Sequence, residues 1–228
     1  MKKYLRVYSI FPSIDGEVNH FYQGRLTVFV RLAGCNLQCK YCDTQYAAGL
    51  NDGKDMSIDS IIDTIVSYRG IGKVTITGGE PFLQQDLVWR LCSRLSNLHR
   101  QITIETNGSI KFKPARSRWP GTKFIVDYKL PSSGQGAMMD PEVFYNLLPS
   151  DFVKFVIADR ADFDRAVKIM GILEGLGCLA LFAFSPVFDA DKKCHFAADL
   201  LRWMMEFSSP KMVLNIQLHK VVNFDEPK

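Results

Sequence analysis

"LTVFVRLAGCNLQCKYC", residues 26–42, decides how the rest of the chain is read. Its first half, "LTVFVRLAG" (26–34), is apolar and β-branched and predicts a strand running into a loop. Its second half sets Cys35, Cys39 and Cys42 in a C-x3-C-x2-C pattern, half of the six cysteines in the chain. With cysteine at that frequency, a fixed three-cysteine pattern is expected by chance roughly 0.004 times in a chain of this length. Asn36, Gln38, Lys40 and Asp43 are polar, so the thiols sit in a loop and are not buried small hydrophobes. A structural zinc site takes four closed ligands, and His20, the nearest histidine, lies fifteen residues upstream of Cys35. Three thiolates on a four-iron cluster leave one iron open, as a catalytic centre requires. Both metals remain possible readings of the spacing alone.

Outward from this loop, apolar strands alternate with amphipathic helices. "SIDSIIDTIVSYRG" (57–70) has Ile58, Ile61, Ile62, Ile65 and Val66 at helical spacing, with Ser57 as N-cap and Gly70 at its end. "KVTIT" (73–77), "QITIET" (101–106), "KFIVDYK" (123–129), "FVKFVIA" (152–158), "CLALFAF" (178–184) and "MVLNIQL" (212–218) read as strands. Helices are expected at 87–95, 140–148, 162–177 and 191–207. Repeated strand–helix units imply a mostly parallel sheet with helices outside. No linker divides the 228 residues, so one domain, 1–228, is expected. The polar stretches "TGGEP", "ETNG", "DYKLPSSG" and "FSPVF" each follow a strand, the edge that carries ligands in parallel α/β folds.

Composition bounds the rest. Hydrophobic residues make up 47% and charged residues 23%, an ordinary globular profile. Net charge is +4, which suits anionic ligands without signalling nucleic acid. "MKKYLRVYSIF" starts with charge, but Pro12 and Asp15 interrupt it before any secretory apolar run, and "CLALFAF" is too short to span a bilayer. A cytoplasmic location with reduced thiols is expected. "KFKPARSRWPGTK" (111–123) carries five positive charges and no acid, and reads as a solvated loop rather than a surface for RNA or an acidic carrier. Cys92 and Cys178 fall on apolar faces and read as core, and Cys194 as a plain helix residue.

"CNLQCKYC", with Tyr41 before the last cysteine, resembles the CxxxCxxC loop of radical S-adenosylmethionine (SAM) enzymes. The resemblance implies a [4Fe-4S] cluster on Cys35, Cys39 and Cys42. Its open iron would chelate SAM, whose one-electron cleavage yields a 5′-deoxyadenosyl radical. It places Tyr41, Asp43, Gly78, Gly79, Glu80, Asn107, Asp127, Lys129 and Ser185 around SAM. The strips "SIDGEV" (13–18), "FVRLAGCNLQCKYCDT" (29–44), "TGGEPFLQ", "ETNGS", "DYKLPSSG", "KFVIADRADF" and "QLHK" are similar, more narrowly, to the 7-carboxy-7-deazaguanine synthase family, over residues 8 to about 222.

That resemblance implies an α/β fold, an incomplete, modified (β/α)6 radical SAM barrel with mostly parallel strands, usually dimeric. It implies ring contraction of 6-carboxy-5,6,7,8-tetrahydropterin with loss of ammonia, on the route to queuosine. Substrate contacts would come from Ile14, Asp15, Gly16, Glu17, Arg31, Thr77 and His219, and Thr44 would serve Mg2+. A flavodoxin- or ferredoxin-type donor would supply electrons, with no protein nucleophile and no membrane or nucleic-acid partner. The chain departs from the family's pattern at Asp15 and Val18, at "DYK" in place of an "SPK"-like loop, and in residues 223–228, where Asp225 is a candidate for a substrate-facing carboxylate. Two other readings compete: an activase of glycyl-radical enzymes, and a zinc-stabilised tRNA-binding module.

Overall fold

A computed structural model describes residues 3–112, 121–188, 194 and 196–222. Residues 113–120 of the basic stretch, the start of the expected 191–207 helix and Asp225 lie outside the described residues.

Nine strands form one sheet in the order β3-β1-β2-β4-β5-β6-β7-β8-β9. Seven of them run parallel: β2 (Leu26–Leu32), β4 (Lys73–Gly78), β5 (Gln101–Thr106), β6 (Thr122–Asp127), β7 (Phe152–Ile157), β8 (Leu181–Pro186) and β9 (Met212–Leu214). β1 (Leu5–Ile14) is antiparallel to β2 and to the short β3 (Lys54–Met56). β3 and β9 are the two edges, so the sheet is open, as an incomplete barrel should be.

β1 and β3 are additions to the strands expected from the sequence. Pro12 hid β1, because proline cannot donate to a ladder. Pro12 pairs with Val28 of β2, and β3 pairs only with Leu5–Val7, so no strand among the described residues adjoins Pro12 on its other side.

Helices α1 (Ile58–Ser67), α2 (Gln85–Asn97), α3 (Arg160–Gly175) and α4 (Ala197–Phe207) bury their apolar sides against one sheet face. Ser57 caps α1 by accepting from the Ser60 N–H at 3.1 Å, and Gly70 follows with a positive φ of 81°. Asp159 caps α3. The helix expected over 140–148 is a correction: only one 3-10 turn forms, Pro141–Val143, capped by Asp140. Val143, Phe144, Tyr145 and Asn146 are weak helix formers, and Val143, Phe144 and Leu147 reach the core without a continued helix. The last expected strand stops at Leu214, and the "QLHK" stretch turns into the short α5 (Leu218–Val221). No helix among the described residues is long and apolar enough to cross a membrane.

The strand periodicity has two consequences. Val28, Val30, Val74, Ile76, Ile102, Ile104, Val153 and Phe155 face the helices and form the main core. The alternate positions Thr27, Arg31, Lys73, Thr75, Thr77, Thr103, Glu105, Asp127, Lys154 and Ser185 therefore share the other face. This face is polar and largely buried, so its groups must find hydrogen-bond partners.

Candidate active site

The cysteine loop leaves β2 at the C-terminal edge of the parallel strands. It closes on itself through Gly34 N to Ala47 O (2.9 Å) and Cys35 N to Ala48 O (2.8 Å). The next strand's loop packs directly on it: Gly79 N donates to Leu32 O at 3.0 Å and Glu80 N to Gly34 O at 2.7 Å. This contact explains the paired glycines. A Cβ on Gly78 would lie 2.1 Å from Leu32 O, and one on Gly79 would lie 2.1 Å from Gly34 O.

Glu80 ties in the third loop. Its fully buried carboxylate accepts from Phe82 N (2.9 Å), Thr106 Oγ1 (2.7 Å) and Asn107 N (2.7 Å). Burial raises its pKa, and these donors oppose the rise. Asn107 in turn reaches Asn36 Oδ1 at 3.1 Å and Cys35 Sγ at 3.7 Å. Three segments far apart in sequence thus form one interlocked rim. Asp127 and Lys129 complete it, paired at 2.6 Å and lying within electrostatic reach of Cys39.

The donor set fits an iron–sulfur cluster. Cys35, Cys39 and Cys42 are free and partly exposed on one loop. Burial raises the thiols of Cys35 and Cys39, so ligation there must displace their protons. Among the described residues no three His, Cys, Asp or Glu side chains converge as a shell for one ion. The Tyr41 hydroxyl is buried without a hydrogen-bond partner, the kind of group a bound polar ligand would satisfy. Burial, opposed by Lys129, lifts it to about 12, so it stays a donor. Thr44 Oγ1 lies 3.6 Å from Cys42 Sγ. Asp43 instead turns outward to Lys220 on α5 at 2.7 Å, whose charge holds its carboxyl low.

Below the rim, the polar face gathers the residues expected to meet substrate. Arg31 is buried with its guanidinium over the rings of Phe11 and Tyr46. Thr77 donates to Glu105 at 2.9 Å. Glu17 is met by Lys154 (2.9 Å), Gln217 (2.6 Å) and Asn215. Burial would raise Glu17, but Lys154, His219 and the Asn215 amide bring it down to about 2. Glu105 moves the other way, to about 7, through burial and the charge of Glu17. His219 packs against Gly16, where a Cβ would meet its Nδ1 at 1.9 Å. Asp15 pairs with Lys73.

Besides Asp43, two expected residues sit apart from their assigned companions. Ser185, placed with SAM by resemblance, is linked to Glu17 through Asn215, to which it lies at 2.7 Å. Ile14 pairs with Leu26, on the opposite face of β1 from Ser13. Its side chain is not brought to the polar face.

Glu105, Lys154, Lys73, Asn215 and Gln217 belong to the site and escaped the sequence reading. Their signal was a polar residue inside an apolar strand or just past its end, as in "FVKFV". Lys154 is central, since it also reaches Asp127 at 3.1 Å and so joins the rim to the polar face. Cys92 and Cys178 are buried in the core, as expected.

Comparison with known proteins agrees with this architecture. Residues 30–115 match the model of the Radical SAM superfamily. A 7-carboxy-7-deazaguanine synthase from Clostridium acetobutylicum is 32% identical over 95% of this chain and 95% of its own length. Another, from Koribacter versatilis, is 33% identical over 98% of this chain and 99% of its own. The crystal structure of QueE from Escherichia coli superposes with a TM-score of 0.74 at 19% identity, covering 95% of each chain. SuiB from Streptococcus suis, solved bound to S-adenosylmethionine, has the same fold over 80% of this chain and 44% of its own, with a TM-score of 0.53 at 14% identity. Shared length from end to end, one sheet and one rim of loops agree with a third of the residues being identical: this chain belongs to the 7-carboxy-7-deazaguanine synthase family of the Radical SAM superfamily.

Proposed function

We propose that the protein is a 7-carboxy-7-deazaguanine synthase, contracting the ring of 6-carboxy-5,6,7,8-tetrahydropterin to 7-carboxy-7-deazaguanine with loss of ammonia. The observation that carries this reading is the position of the three-thiol rim directly above a buried polar sheet face. When bound, a [4Fe-4S] cluster and SAM supply the radical initiation that no side chain provides.

The chain's own residues hold and shield. Cys35, Cys39 and Cys42 would ligate the cluster. Gly78, Gly79, Glu80 and Asn107 form the rim on which SAM would rest, beside Tyr41, Asp127 and Lys129. Arg31 offers a fixed guanidinium for the substrate carboxylate, its orientation set by two aromatic rings. Asp15 offers an acceptor to the N–H edge of the ring, with Gly16, His219 and the Glu17 carboxylate held by Lys154, Asn215 and Gln217 closing that end. Glu105, at about 7 beside Thr77, can take or return a proton at neutral pH. The Thr44 hydroxyl would contribute one oxygen to Mg2+, with substrate and water supplying others. A cytoplasmic homodimer served by a flavodoxin- or ferredoxin-type donor completes the reading.

The test is anaerobic reconstitution with iron and sulfide, then incubation with SAM, reductant, Mg2+ and the carboxypterin. A deazaguanine product by mass, formed without a protein partner, supports the proposal and separates it from a glycyl-radical activase. A reconstituted enzyme that cleaves SAM but leaves the pterin intact overturns it.

A further inference from the structure

The lower end of the polar face, where β1 ends and β4 begins, holds an ion pair that the cluster and SAM do not account for. Asp15 is 0% exposed and Lys73 1% exposed. One carboxylate oxygen of Asp15, Oδ2, engages the Lys73 ammonium and lies 3.3 Å from Thr75 Oγ1. Thr75 also lies 3.1 Å from the Lys73 Nζ and 3.0 Å from Thr27 Oγ1. The backbone fixes Asp15 from both sides, its N–H donating to Arg25 O at 2.8 Å and its carbonyl accepting from Gly24 N at 2.7 Å.

The other oxygen, Oδ1, is buried with no hydrogen-bond partner. Two hydroxyls on the same face share that condition, Ser13 Oγ and Thr103 Oγ1. Ser13 pairs across the sheet with Thr27, and Thr103 with Thr75, so they flank the ion pair. Glu17 differs, since both its oxygens already accept from protein donors. A buried lysine–carboxylate pair adds little to stability compared with an apolar pair of the same volume. An oriented pair with a spare acceptor is a recognition device for a ligand N–H.

We propose that Lys73 is a positioning residue for substrate: by holding Oδ2 of Asp15, it turns Oδ1 to accept an N–H from the edge of the bound heterocycle. This rests on the function proposed above. Lys73 touches no reacting atom; it acts through Asp15.

The test compares Lys73→Met, Thr75→Val and the double variant Asp15→Asn/Lys73→Met in the reconstituted holoenzyme. Carboxypterin Kd by calorimetry, KM, kcat, SAM affinity and Tm are measured for each. Lys73→Met is expected to raise Kd and KM for the carboxypterin about tenfold or more, the weight of one charge-assisted hydrogen bond. SAM affinity should hold. The double variant, which carries no buried charge, should recover Tm but not the pterin affinity, because no lysine then orients the acceptor. Thr75→Val should raise KM in the same direction by a smaller factor, and it keeps the test alive if Lys73→Met does not fold. Unchanged Kd and KM in folded Lys73→Met or Thr75→Val overturns the proposal, as does a double variant that binds pterin as tightly as the wild type. A wild-type protein that binds no carboxypterin overturns the parent reading as well, whereas wild-type turnover with unaffected variants overturns only this one.

Discussion

Single residues set the tolerances of the rim. Gly79 is required by close approach, since an added Cβ meets the Gly34 carbonyl and the Cys35 nitrogen, both backbone and neither able to swing aside. Gly79→Ala should therefore displace the cysteine loop and lower iron retained per chain after anaerobic desalting. Gly72→Ala, with nothing within 4 Å of the new methyl, should match the wild type. Lys154 carries a different load. It is buried between Glu17 and Asp127, and Lys154→Met strands both carboxylates with a partner lost. A loss of about 3–5 kcal/mol is expected, as when one member of a buried ion pair is removed. Urea unfolding of the apo protein measures it, and a loss under 1 kcal/mol would show that Asn215, Gln217 and Lys129 suffice for these acids.

Elements account for position more than for chemistry. α1 and α3 start where Ser57 and Asp159 accept backbone N–H groups; the Ser57 cap was read from the sequence, and the Asp159 cap was not. Ser57→Ala should cost about 1 kcal/mol in urea unfolding and leave turnover per iron-loaded chain unchanged, because α1 packs on the face away from the site. The reverse pattern, stable but slow, would mean that α1 sets the position of the following strand end. β1 has the opposite character: little in its local sequence announces it, yet it delivers Ser13, Asp15, Gly16 and Glu17 to the polar face. Its register against β2, with an irregularity between Val7 and Ser9, switches which side chains face inward.

At the scale of the whole molecule, the concentration of buried charge on one sheet face makes stability depend on pH. Folded Glu17 sits at about 2 against an ordinary 4.5. A depressed carboxyl stabilises the fold above its unfolded pKa, and that contribution disappears as pH falls through the folded value. The Glu17 share is about 3 kcal/mol, complete above about pH 5 and lost progressively toward pH 2. Lys154, raised well above 10.5, has the opposite sign: its contribution is complete below pH 10.5 and is lost as pH rises further. Urea midpoints between pH 3 and 7 should fall steeply for wild type and less for Glu17→Gln. Equal slopes would remove Glu17 from the acid sensitivity of the fold.

The alternation of strands and helices, the Ser57 cap, the thiol loop and its family membership were legible in the chain itself, because each depends on residues within a turn or a strand of one another. "FVRLAGCNLQCKYC" needs no partner to be read as a strand delivering three thiols. The 140–148 helix was misread for the same reason, since tertiary burial of Val143, Phe144 and Leu147 outweighed local spacing. Tertiary structure alone decided which groups meet on the polar face. Asp15 finds Lys73 across 58 residues of sequence, and Glu17 finds Asn215 across 198. Such pairs follow from strand order and register in the open sheet, and no local pattern of side chains encodes either one.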